Sequence, residues 1–340
     1  MKRIRFPLFV LVALSIQLAL GSEAPALIER PTADSGPTQI YVGMWVWLVD
    51  QGCIAIAGAY SSDNGIVVAP VAEELKVPLI SWAGTERLLN SYTFRLANGD
   101  CGGDPALIVK WLVRNGLKRV GVVAEVSPNG EEYFKFFRQQ CRRYGVQIAG
   151  LETAEQSASD MRGHLANLKA VGSEALVHMG YGMHFVHDLF RPALQALDWD
   201  PPRIAGTAFM FYVVVGFDPF DGWVGLDQYC PDNPLADKFC RDYQARYNES
   251  PPMWPNTIPL MAYDTARVLA EGLHRAPVLN GEGMRDGLER IRFMPSSTGG
   301  PRTHIAAAPY DHNLFKGDWV VYAKSKDGKL VYQGLCDVSI

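Results

Sequence analysis

From about residue 53 onward the chain alternates short, continuously apolar runs with amphipathic stretches. The runs cover residues 53–60, 77–82, 119–125, 146–151, 175–180 and 203–207, each rich in Val or Ile and followed by turn residues. Between them lie stretches of helical period at about 64–76, 105–115, 129–144, 159–171 and 183–197. In the second of these Pro105 stands in the first turn, and Ile108, Trp111 and Leu112 recur on one face. Strand-length apolar runs alternating with helices predict an α/β fold built on parallel sheets flanked by helices.

The texture changes near residue 228, where Pro, Asp and Asn cluster ahead of three helical stretches at about 234–247, 258–275 and 281–291. The chain closes with two strand patterns, 319–325 and 330–333, around Asp327-Gly328, which predicts a hairpin. A length of 340 residues suits two lobes better than one core. The polar, glycine-rich break at 98–103 is the expected boundary. The first lobe is expected to hold residues 22–100 and about 229–300, the second 101–228 and about 301–340, with crossings near 98–103, 226–230 and 300–310.

Composition is that of an ordinary soluble protein, with 48% hydrophobic and 20% charged residues. A net charge of -4 supplies no cationic field, which argues against nucleic acid as a partner. The N-terminus has Lys2, Arg3 and Arg5, an apolar run over 6–20 broken by Gln17, and Ala19-Leu20-Gly21 before Ser22-Glu23. That order reads as a signal peptide over residues 1–21, cleaved near Gly21. Ser22 stands where a lipidated cysteine would be required, so a free periplasmic protein is expected. Export makes Cys53, Cys101, Cys141, Cys230, Cys240 and Cys336 candidates for disulfides or inert buried thiols, and Cys230 with Cys240 is the one pair close in sequence.

Ligands of open parallel sheets bind beyond the carboxyl ends of the strands, where loops and helix N-termini offer donors. That rule singles out Ser61 and Ser62 after the first run, Ala83 and Thr85 after the second, and Asn129 after the third. Tyr181 follows the fifth run, and Thr207 closes the sixth. Small hydroxyls of the first lobe would then face Asn129, Tyr181 and Thr207 of the second across a cleft, with Tyr60, Trp82 and Phe209 as apolar walls. Each also has a local role open to it: Ser62 and Thr85 suit helix N-caps, and Asn129 with Glu132 has the form of a capping box.

The stretches IAIAGAYSSDNGIVVAPVAEELKVPLISWAGTERLLNSYTFRL, KRVGVVAEVSPNGEEYFKFFRQQCRRYGVQI and LANLKAVGSEALVHMGYG resemble the leucine/isoleucine/valine-binding family of periplasmic binding proteins, and MAYDTARVLAEGLHRAP resembles a helix of its C-terminal half. The resemblance runs from about Ser35 to the end and implies a two-lobed, hinge-closing receptor of the type I fold. Its expected partners are a small polar ligand, namely an amino acid, amide or carboxylate, and an ABC permease of the inner membrane. By position Ser62, Ala83, Thr85 and Tyr181 are similar to the residues that hold an amino acid in that family.

Four departures alter that expectation. Asn129 stands where amino-acid binders carry tyrosine, and Gly206-Thr207-Ala208 lacks the acid that pairs with a ligand ammonium, an ion expensive to bury unpaired. The family's first strand and helix have no counterpart between Ser22 and Ser35, so the first lobe is expected to be abbreviated. The positions matching the family's first-lobe disulfide are Ser35 or Gly36 and Ser61.

Enzyme readings are weaker. Gly99-Asp100-Cys101-Gly102-Gly103 looks like a protease nucleophile loop with cysteine for serine, yet no histidine precedes it. His178, His184 and His187-Asp188 cluster, and His184 and His187 share a helix face, but a metal needs a third convergent ligand. Neither a phosphate-binding glycine loop nor a GxSxG elbow is present, and no cofactor or metal is expected. The alternatives to transport are a ligand sensor of the same fold feeding a signalling partner and, more remotely, a hydrolase.

Overall fold

The computed structural model describes residues 37–155, 157–181, 189–207, 209 and 216–336. Helix α1 (Pro37–Asp50) leads into β1 (Ile56–Gly58), α2 (Ser62–Glu74), β2 (Leu79–Ser81), a 3-10 turn at Glu86–Leu88 and β3 (Thr93–Arg95). Then follow α3 (Asp104–Arg114), β4 (Arg119–Glu125), α4 (Pro128–Tyr144), β5 (Gln147–Ala154), α5 (Arg162–Ala170), β6 (Ala175–Met179), α6 (Arg191–Ala196), β7 (Arg203–Ala205) and β8 (Trp223–Asp227). Three helices come next, α7 (Pro234–Tyr247), α8 (Thr257–Arg275) and α9 (Gly281–Leu288). The chain closes with β9 (Met294–Pro295), β10 (His304–Ile305), β11 (Phe315–Lys316), β12 (Val321–Lys326) and β13 (Lys329–Leu335).

Two parallel sheets organise these elements. The first has the order β1-β2-β3, and the second β13-β12-β8-β7-β6-β4-β5, in which β4 to β8 are parallel and the β12–β13 hairpin is antiparallel. The inner strands of both sheets are covered on both faces, which is why they read as unbroken apolar runs, whereas β5 and β13 at the edges of the second sheet are half-exposed. In the first, Ile56 and Leu79 pack with Trp45, Val68 and Ala72, while Ala57 and Ile80 pack with Val268, Leu269 and Leu288. In the second, Val120, Val122 and Ala124 meet Ile108, Leu112 and Phe137, whereas Val123 meets Leu165 and Leu168 on the other side. The first lobe's parallel sheet, with three described strands, is the smaller of the two, in line with an abbreviated first lobe.

The chain leaves the first lobe's core, to which Leu96 belongs, and enters the second's by Cys101. A second crossing follows β8. The third lies at 317–320 rather than 300–310, because Ile305, Ala307, Leu314 and Phe315 pack with Ile54 and Ile80 of the first lobe. The chain there also extends the β3 edge, Arg95 N donating to His312 O and Leu314 N to Arg95 O, each at 2.8 Å. Trp319 packs against the cores of both lobes and marks the crossing.

All six cysteines are free and buried, and the Cys230–Cys240 pair does not form. Cys230 Sγ instead donates to Tyr332 Oη at 3.7 Å, while Cys240 rides on α7. Denatured, unreduced protein is therefore expected to titrate six thiols with a thiol reagent. A count of four would establish a disulfide and overturn this arrangement. No described helix is long and apolar enough to cross a membrane, and the expected signal peptide, 1–21, lies outside the described residues.

Candidate functional site

Four of the seven expected residues meet where the two lobes touch. Ser62 opens α2 at the end of β1, and its backbone N–H donates to Tyr181 Oη, which follows β6 in the other lobe, at 2.6 Å. Asn129, in the first turn of α4, donates from Nδ2 to Ser62 Oγ at 3.2 Å and from its backbone N–H to Asp63 Oδ1 at 3.2 Å. Thr85 donates its hydroxyl to Glu132 Oε2, and the next N–H, that of Glu86, donates to Glu132 Oε1 at 3.0 Å. Ser62 is 2% exposed, Thr85 0% and Asn129 3%, so the two strand-end surfaces are closed on one another. Asn129 Oδ1 is buried there without a hydrogen-bond partner. Such a group is costly to leave unsatisfied and is a ready acceptor.

The other three hold the scaffold. Ser61, not Ser62, is the N-cap of α2, its hydroxyl accepting from Asn64 N at 3.3 Å. Ala83 is buried, and its N–H is given to Ser81 Oγ at 3.1 Å. Thr207 turns inward: its N–H donates to Asp104 Oδ2 at 3.2 Å and its hydroxyl to the same oxygen. Thr85 does cap the turn that follows it, accepting from Arg87 N at 3.2 Å. The expected capping box at Asn129 and Glu132 is not formed. Ser127 caps α4, accepting from Gly130 N at 3.1 Å, and Glu132 reaches across to the first lobe. Of the expected walls, Trp82 lies in the first lobe's core, bonded to Thr265 Oγ1 at 2.9 Å, and Phe209 lies in the second lobe's core. Tyr60 packs edge-on against Trp82, ring centroids 4.6 Å apart.

Sequence reasoning named Glu132 only as a capping partner of Asn129 and did not single out three other acidic or phenolic residues that organise this region: Asp63, Asp104 and Tyr133. Asp104, at the start of α3, has no exposed surface and accepts from Tyr133 O–H at 2.7 Å, from both Thr207 donors and from Asp100 N at 3.2 Å. Burial outweighs these donors and pushes its carboxyl up to about 6. Burial also raises Asp63, whose neighbour Glu125 adds to the shift while the Asn129 N–H opposes it. The Tyr181 phenol is raised by burial, so its oxygen stays protonated.

Cys101, the residue of the protease-like loop, is fully buried with Sγ 3.9 Å from Ser62 Oγ and 3.4 Å from Asn129 Nδ2. Burial and then the charge of Glu132 push its thiol well up, the opposite of what a thiolate nucleophile needs. His178 is buried in β6 with its ring edge-on to Phe190, and burial drives it down to about 3, so it stays neutral. His184, His187 and Asp188 lie outside the described residues. Among the described residues no group of three His, Cys, Asp or Glu side chains is placed to hold a metal ion.

A family profile described as periplasmic binding protein matches residues 46–329. The comparison with curated proteins finds no match. Among solved structures, a leucine-binding protein of Thermotoga maritima superposes with a TM-score of 0.74 at 20% identity, covering 89% of this chain and 85% of its own. A type 1 periplasmic binding protein of Bordetella pertussis gives 0.74 at 19% identity over 88% and 85%. A solute-binding protein of an ABC transporter from Rhodopseudomonas palustris, in complex with benzoate, gives 0.70 at 16% identity over 88% and 81%. At such identities the likeness carries the fold, and that fold is the one built above from two covered sheets and three crossings. With the family profile spanning most of its length, the chain belongs to the periplasmic binding protein family.

Proposed function

We propose that the protein is a periplasmic receptor that takes a small polar ligand, an amino acid, amide or carboxylate, between its lobes and delivers it to an ABC importer. The observation that carries this reading is the meeting of Ser62 with Asn129 and Tyr181, and of Thr85 with Glu132, at the strand ends of the two sheets. Lobes joined only by short crossings can swing apart, exposing these groups, and close again on a ligand. The leucine-binding and benzoate-bound structures that share the fold support small organic acids as the class to test first. The charged and apolar segments of residues 1–21 support export, and Ser22 supports a form without lipid. The raised, buried thiol of Cys101 supports a binder over a hydrolase. The partner that would receive the closed form is a permease of the inner membrane.

Thermal unfolding against a panel of amino acids, amides, urea and aromatic acids tests the reading. A true ligand at a hundredfold its Kd stabilises the native state by about 2.7 kcal/mol. That shift is expected to vanish in both Thr85→Val and Tyr181→Phe. If both variants respond like the wild type, the ligand binds elsewhere.

A further inference from the structure

A cavity of about 240 Å³ lies beside the segments that connect the lobes. Asp100, Gly102 and Gly103 of the segment entering the second lobe form one wall, and Trp319 and Val320 of the returning segment form another. Helix α3 adds Leu107 and Lys110, and the last turns of α4 add Gln140, Arg143 and Tyr144. The loop between β3 and α3 therefore has two sides. Cys101 turns its sulfur toward Ser62 Oγ, 3.9 Å away, while the two glycines after it line the cavity.

The lining is selective in charge and shape. Leu107, Val320 and the rings of Trp319 and Tyr144 offer apolar surface, which suits a flat ring. Both carboxyls are committed to the protein's own donors. Asp104 accepts from the Tyr133 and Thr207 hydroxyls, and Asp100 Oδ1 accepts from Gly102 N at 3.0 Å and lies 3.8 Å from the Arg95 guanidinium. Arg143 instead lays its guanidinium over the Tyr144 ring, 5.7 Å from the centroid, and pairs with no carboxylate among the described residues. Lys110 adds a second positive charge to the lining. Gln140 adds an acceptor, because its Oε1 is buried without a hydrogen-bond partner and gains from any N–H or O–H brought to it. Sites for drug-sized molecules occupy roughly 300–1,000 Å³, so the occupant of this one is small.

We propose that this cavity is a second ligand site, outside the cleft, for a small aromatic carboxylate that carries an N–H or O–H on its ring. The carboxylate pairs with Arg143 and Lys110, the ring lies against Trp319, and the ring donor reaches Gln140. This site does not rest on ligand binding in the cleft, since Ser62, Thr85, Asn129 and Tyr181 are not among its lining residues.

Indole-3-acetate, which has both a carboxylate and a ring N–H, is the probe. Calorimetric titration of the full protein is expected to give a Kd on the order of 0.1–1 mM, the affinity usual for a ligand of this size. Arg143→Glu, at an exposed position, and Ala106→Trp, which fills the cavity, are each expected to weaken binding at least about tenfold, with Tyr181→Phe behaving like the wild type. An unchanged melting temperature in Arg143→Glu shows that its loss is not unfolding. 1-Naphthylacetate, which keeps the fused rings and the carboxylate but has no N–H, is expected to bind about fivefold more weakly than indole-3-acetate. Equal or reversed affinities of the two probes overturn the pairing with Gln140. No binding by the wild type at millimolar probe overturns the site, as does binding that Tyr181→Phe abolishes and that Arg143→Glu and Ala106→Trp leave intact.

Discussion

Asp104→Ala is expected to destabilise the protein by about 4 kcal/mol in equilibrium urea unfolding at neutral pH, because it strands several buried donors at about 1–3 kcal/mol each. Those donors are the Tyr133 hydroxyl, the Thr207 hydroxyl and N–H, and the N–H of Asp100 in the first crossing. The carboxyl also gives stability a pH dependence of definite sign. Its native pKa, raised by burial to about 6, stands above an unfolded value of about 3.9. Between those values the native state binds the extra proton, so stability falls as pH rises from about 4 to about 6 and is level above. The two-unit gap corresponds to about 3 kcal/mol. Asp227, with no exposed surface and pushed by burial to about 6, contributes in the same direction. Urea midpoints are therefore expected to be higher at pH 5 than at pH 7.5, and Asp104→Asn is expected to remove about half of that difference. A midpoint that rises with pH through this window would show that the carboxyl is not held in this environment.

How much of this was legible depends on whether a residue's partner lies nearby in sequence. Strands β1, β2, β4, β6 and β7 lie in five of the six apolar runs, since burial on both faces writes itself into consecutive positions, while the half-exposed edge strand β5 starts in the sixth and extends past it. Strand β3 is three residues, Thr93-Phe94-Arg95, and its arginine is buried by partners remote in sequence. These are Asn313 Oδ1 at 2.6 Å and the carbonyls of Gly84 and Thr85 at 3.2 and 2.9 Å. Strand β8 carries Gly225 at a position where Phe209 fills the space a side chain would need, which breaks the apolar signal. At the site, position at strand ends picked out Ser62, Thr85, Asn129 and Tyr181, but not which of several adjacent polar residues caps each helix. That choice is set by backbone geometry: Ser61 and Ser127 hold extended conformations, with ψ of 149° and 158°. Glu132 read as a capping partner of Asn129 and Asp104 drew no reading, because Thr85 and Thr207 approach them only in three dimensions.

Gly99→Ala is expected to be nearly as damaging, for steric reasons that centre on the same crossing. Gly99 has φ +85°, and a Cβ there would sit 1.5 Å from Thr207 Oγ1 and 2.9 Å from Asp104 Oδ2. The left-handed backbone costs a non-glycine residue about 1–2 kcal/mol, and overpacking adds about 1–3 kcal/mol. Gly116→Ala separates the two contributions, because Gly116 has φ +72° and nothing within 4 Å of its would-be Cβ. Its loss in urea unfolding measures the backbone cost alone, about 1 kcal/mol, and Gly99→Ala is expected to exceed it by about 2 kcal/mol. Thr207→Ala removes the clashing hydroxyl, so the double variant Gly99→Ala with Thr207→Ala is expected to lose about 1 kcal/mol less than the sum of the singles. Equal losses at Gly99 and Gly116 would mean that the first crossing is not pressed against Thr207. The Asp104 knot would then be free to move with one lobe alone. A coupling of the expected sign ties the crossing to that knot, so that the segment leaving the first lobe and the loop holding Thr207 in the second behave as one piece.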